Sequence, residues 1–163
     1  MIKRKNPLLV AISLAVVTAT LAAFSQNSND NLGENTALQL EASWRVIVTP
    51  IGPPIPPFLT FSTFGRGGIF LESTQPGQGP GHGVWRRTGG HSFGITFQKI
   101  LFSPNGSFGG TLKVREAIQL SPSGDSYTGD ATAEVFDPSG RPVGAFCAKS
   151  QGTRITVEPP SCP

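Results

Sequence analysis

An all-β chain, closed as an antiparallel up-and-down barrel of about 8–10 strands, is predicted by three observations. The first is a punctuation written three times: Ser103-Pro104-Asn105-Gly106, Ser121-Pro122-Ser123-Gly124 and Asp137-Pro138-Ser139-Gly140. Each reads as a type I turn. Ser or Asp bonds its own backbone, Pro presets φ near −65°, and Gly accepts the left-handed conformation that returns a hairpin. The second is composition: 20 glycines and 15 prolines beside only 14% charged residues, with no long helical period, suit strands joined by turns. The third is topological. Consecutive hairpins leave two sheet edges, which closure removes. A two-sheet sandwich is the alternative, but its Greek-key form needs a long crossing connection that the second half lacks.

The chain has 163 residues, enough for one domain with a core. Residues 1–25 read as a signal peptide. Lys3, Arg4 and Lys5 form a basic start, residues 8–23 are almost wholly apolar, and Ala23-Phe24-Ser25 places small residues before a cleavage point. The competing reading is a retained membrane anchor, although the apolar run falls short of the roughly 20 residues that span a bilayer. Secretion or delivery to a periplasm is therefore expected. Residues 26–41 read as a polar flexible leader, with a short helical turn within 36–41.

The barrel domain is expected over 42–158, with a tail at 159–163. Trp44, Val46 and Val48 alternate on the first strand. Residues 50–57 form a stiff proline-rich strap and 73–81 a mobile loop. Strands are expected at 58–64 and 67–72 around Gly65-Arg66-Gly67-Gly68, and at 83–88 and 91–102 around Thr88-Gly89-Gly90. Strands at 107–120, 125–136, 141–148 and 152–158 follow, for a total of about nine.

The formal net charge of +3 is the export signal's. Without Lys3, Arg4 and Lys5, ten of the thirteen cations remain against ten acidic residues. A neutral mature chain has no basic face for nucleic acid. The two His residues stand at no metal-ligand spacing, so neither a metal nor a cofactor is expected. In an oxidising compartment Cys147 and Cys162 are the one available bridge, worth about 3 kcal/mol for a loop of roughly 15 residues; free thiols are the alternative.

Alternation also assigns faces. Leu112, Val114, Glu116, Ile118 and Leu120 share one face of their strand, and Tyr127, Gly129, Ala131, Ala133 and Val135 share one face of the next. These sets should point inward. The small residues of the second leave room for a ligand unless Phe93, Ile95, Phe97 and Tyr127 fill it. Glu116 on an apolar face is costly unless paired; Arg87, on the face of Trp85, is its expected partner, with His91 beside them.

Leu40-Glu41-Ala42-Ser43-Trp44-Arg45-Val46 resembles the opening strand of the lipocalins and their calycin relatives, with Ala42 where those proteins have Gly. Segments such as Gly81-His82-Gly83-Val84-Trp85 extend the likeness to secreted bacterial lipocalin-like proteins of uncharacterised function. The resemblance implies a barrel whose base Trp, here Trp44, is covered by an Arg near the last strand, here Arg154. Simple alternation with Ile155 and Val157 would instead put Arg154 on the outer face.

The leading functional expectation is binding of a small apolar or amphipathic ligand by Trp44, Trp85, Arg87, Phe93, Phe97, Glu116 and Tyr127, with the two Pro/Gly-rich loops at one mouth. The second is a barrel enzyme of allene oxide cyclase or dirigent type, with Glu116 and Arg87 as its chemistry. The third is an envelope protein with a filled barrel and an outer apolar patch, for which Phe136 and Phe146 are the candidates.

Overall fold

The computed structural model describes residues 39–52, 54–73 and 77–162; the signal-peptide reading and most of the leader lie outside them. Eight antiparallel strands among the described residues close into an up-and-down barrel: β1 (Ala42–Ile51), β2 (Phe58–Gly65), β3 (Ile69–Ser73), β4 (Gly81–Arg87), β5 (Ser92–Phe102), β6 (Phe108–Leu120), β7 (Ser126–Phe136) and β8 (Pro142–Arg154). Each pairs with its neighbour in sequence, and β8 pairs with β1 from Trp44↔Arg154 to Ile51↔Cys147. No sheet edge is left open. No helix among the described residues is long and apolar enough to cross a membrane.

The three repeated turns form as their residues dictate. Gly106, Gly124 and Gly140 donate their N–H groups to the carbonyls of Ser103, Ser121 and Asp137 at 2.8, 3.0 and 2.9 Å. All three glycines have φ near +80°, where a Cβ would be strained. In the last turn Asp137 Oδ1 accepts hydrogen bonds from the Ser139 and Arg141 N–H groups.

Two expectations about the last strands are corrected. What reads as separate strands at 141–148 and 152–158 is one strand, β8, running through Lys149, Ser150 and Gln151. A glycine that looks like a break instead provides clearance: a Cβ on Gly152 would come within 2.5 Å of the Tyr127 ring. The strand also stops at Arg154, whose N–H donates to Asp125 O at 2.8 Å. Alternation beyond that point therefore says nothing about its side chain. Gln39–Glu41 carry no helix either; Leu40 is buried in the core.

The inner faces divide the barrel into a packed base and an upper chamber. At the base Trp44 is fully buried, and its Nε1–H donates to Leu40 O at 3.0 Å. The Arg154 guanidinium lies 4.5 Å from the Trp44 ring centroid and donates to the carbonyls of Gly124, Glu41 and Gln39. Edge contacts link Trp44 to Tyr127, Phe64 to Phe70, Trp85 and Tyr127, and tilted ones link Trp85 to Phe93 and Phe70 to Phe97. Such pairs add about 0.5–1.5 kcal/mol each beyond area burial.

Gly83 lets two of these rings meet. It pairs with Phe70 on one side and Phe97 on the other, and a Cβ there would stand 2.6 Å from Phe97 Cα. Backbone cannot step aside as a side chain can. Gly83→Ala is therefore expected to cost about 1–3 kcal/mol and to loosen the β4–β5 ladder. Faster amide hydrogen exchange at Trp85 and Phe97 would be its signature, and unchanged exchange would contradict it.

The expected Cys147–Cys162 bridge is not formed: both thiols are free and exposed. β8 carries the chain from Cys147 down to Arg154 at the base before it leaves the sheet, and residues 155–162 form no strand that would bring Cys162 back. Phe146, expected outside, lines the interior, while Phe136 is half-buried. The exposed apolar side chains Phe61, Ile69, Leu71 and Val84 instead lie on β2, β3 and β4.

Candidate functional site

Above the base, side chains from seven of the eight strands, all but β4, enclose a cavity of about 210 Å³. Phe70, Phe97 and Tyr127, which also touch the aromatic base, make its floor. Val46, Val48, Leu112, Val114, Ala131, Ala133, Phe146 and Ala148 make its apolar walls. Pro50, Ile55 and Gln78 bring the proline-rich strap and the β3–β4 connection to its mouth. Those two loops share one end of the barrel because each follows an odd-numbered strand in an up-and-down order.

Of the residues expected to bind a ligand, Phe97, Glu116 and Tyr127 line this cavity. Trp44, Trp85 and Phe93 are packed into the base beneath it, and Trp85 Nε1–H is bound to Gly65 O at 3.0 Å. Arg87 is exposed at the base rim, where its Nε donates to Gly90 O at 2.8 Å and its guanidinium lies 5.7 Å from the Phe93 ring centroid. Glu116 therefore has no Arg87 partner. Register separates them: Arg87 pairs with Phe93 and that with Ile118, whereas Glu116 stands opposite Ile95, two residues nearer the mouth.

The cavity's polar groups cross over glycines. Glu72 on β3 forms an ion pair with Lys99 on β5, both side chains at most 5% exposed, with Gly81 of β4 paired to Glu72; a Cβ on Gly81 would lie 3.1 Å from Glu72 Oε2. In the same way Ser150 of β8 donates its hydroxyl to Glu116 Oε1 on β6 across Gly129 of β7. A Cβ on Gly129 would fall 3.0 Å from Glu116 Cδ. Absent side chains on the middle strand let next-nearest strands touch. Ser62 of β2 and Tyr127 of β7 add a hydroxyl each to the lining.

Burial governs the charges. Desolvation pushes the Glu72 carboxyl up and the Lys99 ammonium down, and each partly restores the other's charge. Burial raises the Tyr127 hydroxyl as well, helped by the fields of Glu116 and Glu72. Glu116 is pushed up to about 7, first by burial and further by Glu72 and Asp130, against the hydrogen bond from Ser150.

The folded pKa of Glu116 thus exceeds that of the unfolded chain, so folding holds a proton that unfolding releases. This contribution to stability is complete below about pH 4 and is lost as pH rises to about 7, by roughly 3 kcal/mol in all. Glu116→Gln should remove the decline and make the protein more stable than wild type at pH 8. Urea midpoints between pH 4.5 and 8 test this; parallel curves for the two proteins would mean that Glu116 is solvated.

Glu72 and Lys99 were missed by sequence reasoning, although a signal existed. Glu72 has the parity of Phe70, and Lys99 that of Phe93, Ile95 and Phe97, the same mark of a charge on an inward face that singled out Glu116. Among the described residues no group of three or more His, Cys, Asp or Glu side chains is placed to hold a metal ion. The closed eight-stranded barrel, with Arg154 over Trp44, is consistent with a lipocalin-like fold. No protein-family model matches the chain, and the comparison with curated proteins finds no match.

Proposed function

We propose that this protein is an exported lipocalin-like barrel that binds a small amphipathic molecule. The observation that supports it is the cavity of about 210 Å³, floored by aromatic rings, walled by aliphatic side chains and lined at mid-height by Glu72, Lys99, Glu116 and Ser150. An apolar wall contributes affinity in proportion to the area it covers, about 25 cal/mol per Å², and a few fixed polar groups set orientation. The proline-rich strap, with Pro50 and Ile55 at the rim, contributes a stiff edge that loses little entropy when it closes on a guest. The basic, apolar, small-residue order of residues 1–25 supports export.

Native mass spectrometry of the protein from its own exporting host tests the reading. A discrete adduct lost on denaturation is expected. In Ala133→Phe, which puts a ring into the cavity wall, the adduct should disappear while the melting temperature stays within a few degrees. An adduct that survives Ala133→Phe would place the binding surface elsewhere.

A second reading, an enzyme acting on an apolar substrate, is favoured by the Glu116 carboxyl, which at about 7 is matched to proton transfer near neutral pH. Turnover that survives Glu116→Gln would remove it.

A further inference from the structure

We propose that the molecule this cavity takes is a small alkylammonium, seated with its nitrogen at Glu116 and its apolar body among the walls above the aromatic floor. The inference rests on the binding function proposed above and names the ligand's chemistry. Its ground is the charge inventory of the cavity. The ionisable side chains among the lining residues are Glu72 on β3, Lys99 on β5, Glu116 on β6 and Tyr127 on β7; β1, β2 and β8 add only Thr60, Ser62 and Ser150 as polar groups, and β4 adds none. Lys99 is committed to Glu72. Glu116 receives a neutral hydroxyl from Ser150, and among the described residues no cation acts on it. The lining therefore holds one carboxylate in excess.

A carboxylate buried without a positive partner is costly. Its surroundings sharpen the preference, because Glu72 and Asp130 both act on Glu116 with the sign that favours positive charge. Lys149, the cation near Asp130, points outward and is paired to it. A proton answers this field when the cavity is empty, and an ammonium ion answers it with three N–H donors. An anionic ligand would meet two carboxylates and an ammonium already engaged. An alcohol could accept or donate a hydrogen bond but would leave the charge uncompensated.

Space next to Glu116 comes from alanine: Ala131 stands opposite it on β7, and Ala148 opposite Ala131 on β8. The Tyr127 ring, also in the lining, offers a π face for a cation. An apolar cavity of about 150 Å³ takes benzene, with six heavy atoms, so this one suits a ligand of roughly seven or eight. That is the size of a hexylammonium ion.

Calorimetric titration of the purified protein with hexylammonium, 1-hexanol and hexanoate tests the assignment. Hexylammonium keeps its charge to about pH 10, so its affinity should follow ionisation of Glu116 and rise about tenfold from pH 6 to pH 8. Hexanol should bind more weakly with no such rise, and hexanoate least. Glu116→Gln should bring hexylammonium down to the affinity of hexanol and abolish the rise of its affinity with pH. If hexanol or hexanoate binds as tightly as the amine, or Glu116→Gln leaves the amine unaffected, the ammonium assignment is overturned and the binding function stands. If none of the three binds, both fall.

Discussion

Trp44→Ala is expected to remove about 3–5 kcal/mol of stability, in the upper range for truncation of a buried aromatic. The indole is fully buried, so its loss opens a void at the base that the rigid ladders of β1, β2 and β8 cannot collapse to fill. Three further contacts go with it: the hydrogen bond to Leu40 O at 3.0 Å, the edge contact with Tyr127 at 5.0 Å and the ring face under Arg154 at 4.5 Å. Arg154 would keep its bonds to Gly124, Glu41 and Gln39 but lose the surface that positions it. Trp44→Phe retains most of the apolar area and leaves the Leu40 carbonyl unpaired, which costs about 1–3 kcal/mol. Urea unfolding of the two variants should reproduce this order. A loss below 1 kcal/mol for Trp44→Ala would show that the base does not hold the barrel shut.

Lys99→Met should be nearly as damaging, by about 3–5 kcal/mol, because it strands Glu72 as an uncompensated charge in the interior. The long apolar stem of Met replaces that of Lys, so lost packing is a small part of the effect. Glu72 would answer by taking up a proton at higher pH than in the wild type, since its paired ammonium is what opposes desolvation. The damage should therefore ease as pH falls. Glu72→Leu with Lys99→Met removes both charges and should return to within about 1–2 kcal/mol of wild type, as buried pairs replaced by apolar groups commonly do. A double-mutant cycle by urea unfolding checks this. Additive losses would mean that the pair is hydrated through the mouth and contributes little.

The two variants also separate the functions of the barrel's levels. Trp44 lies below the cavity, whereas Glu72 and Lys99 line it. A folded Glu72→Leu/Lys99→Met protein would present a more apolar cavity with Glu116 intact. It should therefore still discriminate amine from alcohol, because the preference originates at Glu116.

The turns and the alternation were legible in the sequence because they are local. Ser-Pro-x-Gly and Asp-Pro-Ser-Gly set their own φ angles, and period-two alternation in 112–120 and 127–135 follows from the pleat without reference to any other strand. Inward placement of Glu116 and Tyr127 followed from the same parity. The resemblance of the first strand pointed to Arg154 over Trp44, and the contact is there although alternation along the tail argued against it, since the sheet ends at that residue.

Tertiary structure decided the rest. Closure brings β8 against β1 and sets a stagger between strands, and that stagger separates Arg87 from Glu116 and gives Glu116 to Ser150. It also sinks Trp85 and Phe93 into the base while Phe146 turns inward. Glu72 meets Lys99, and Phe70 meets Phe97, only because Gly81 and Gly83 remove the side chains between them. Parity along one strand fixes which way a side chain points; which side chains share a level inside a closed barrel depends on the register of every ladder between them, a long-range quantity that no local pattern contains.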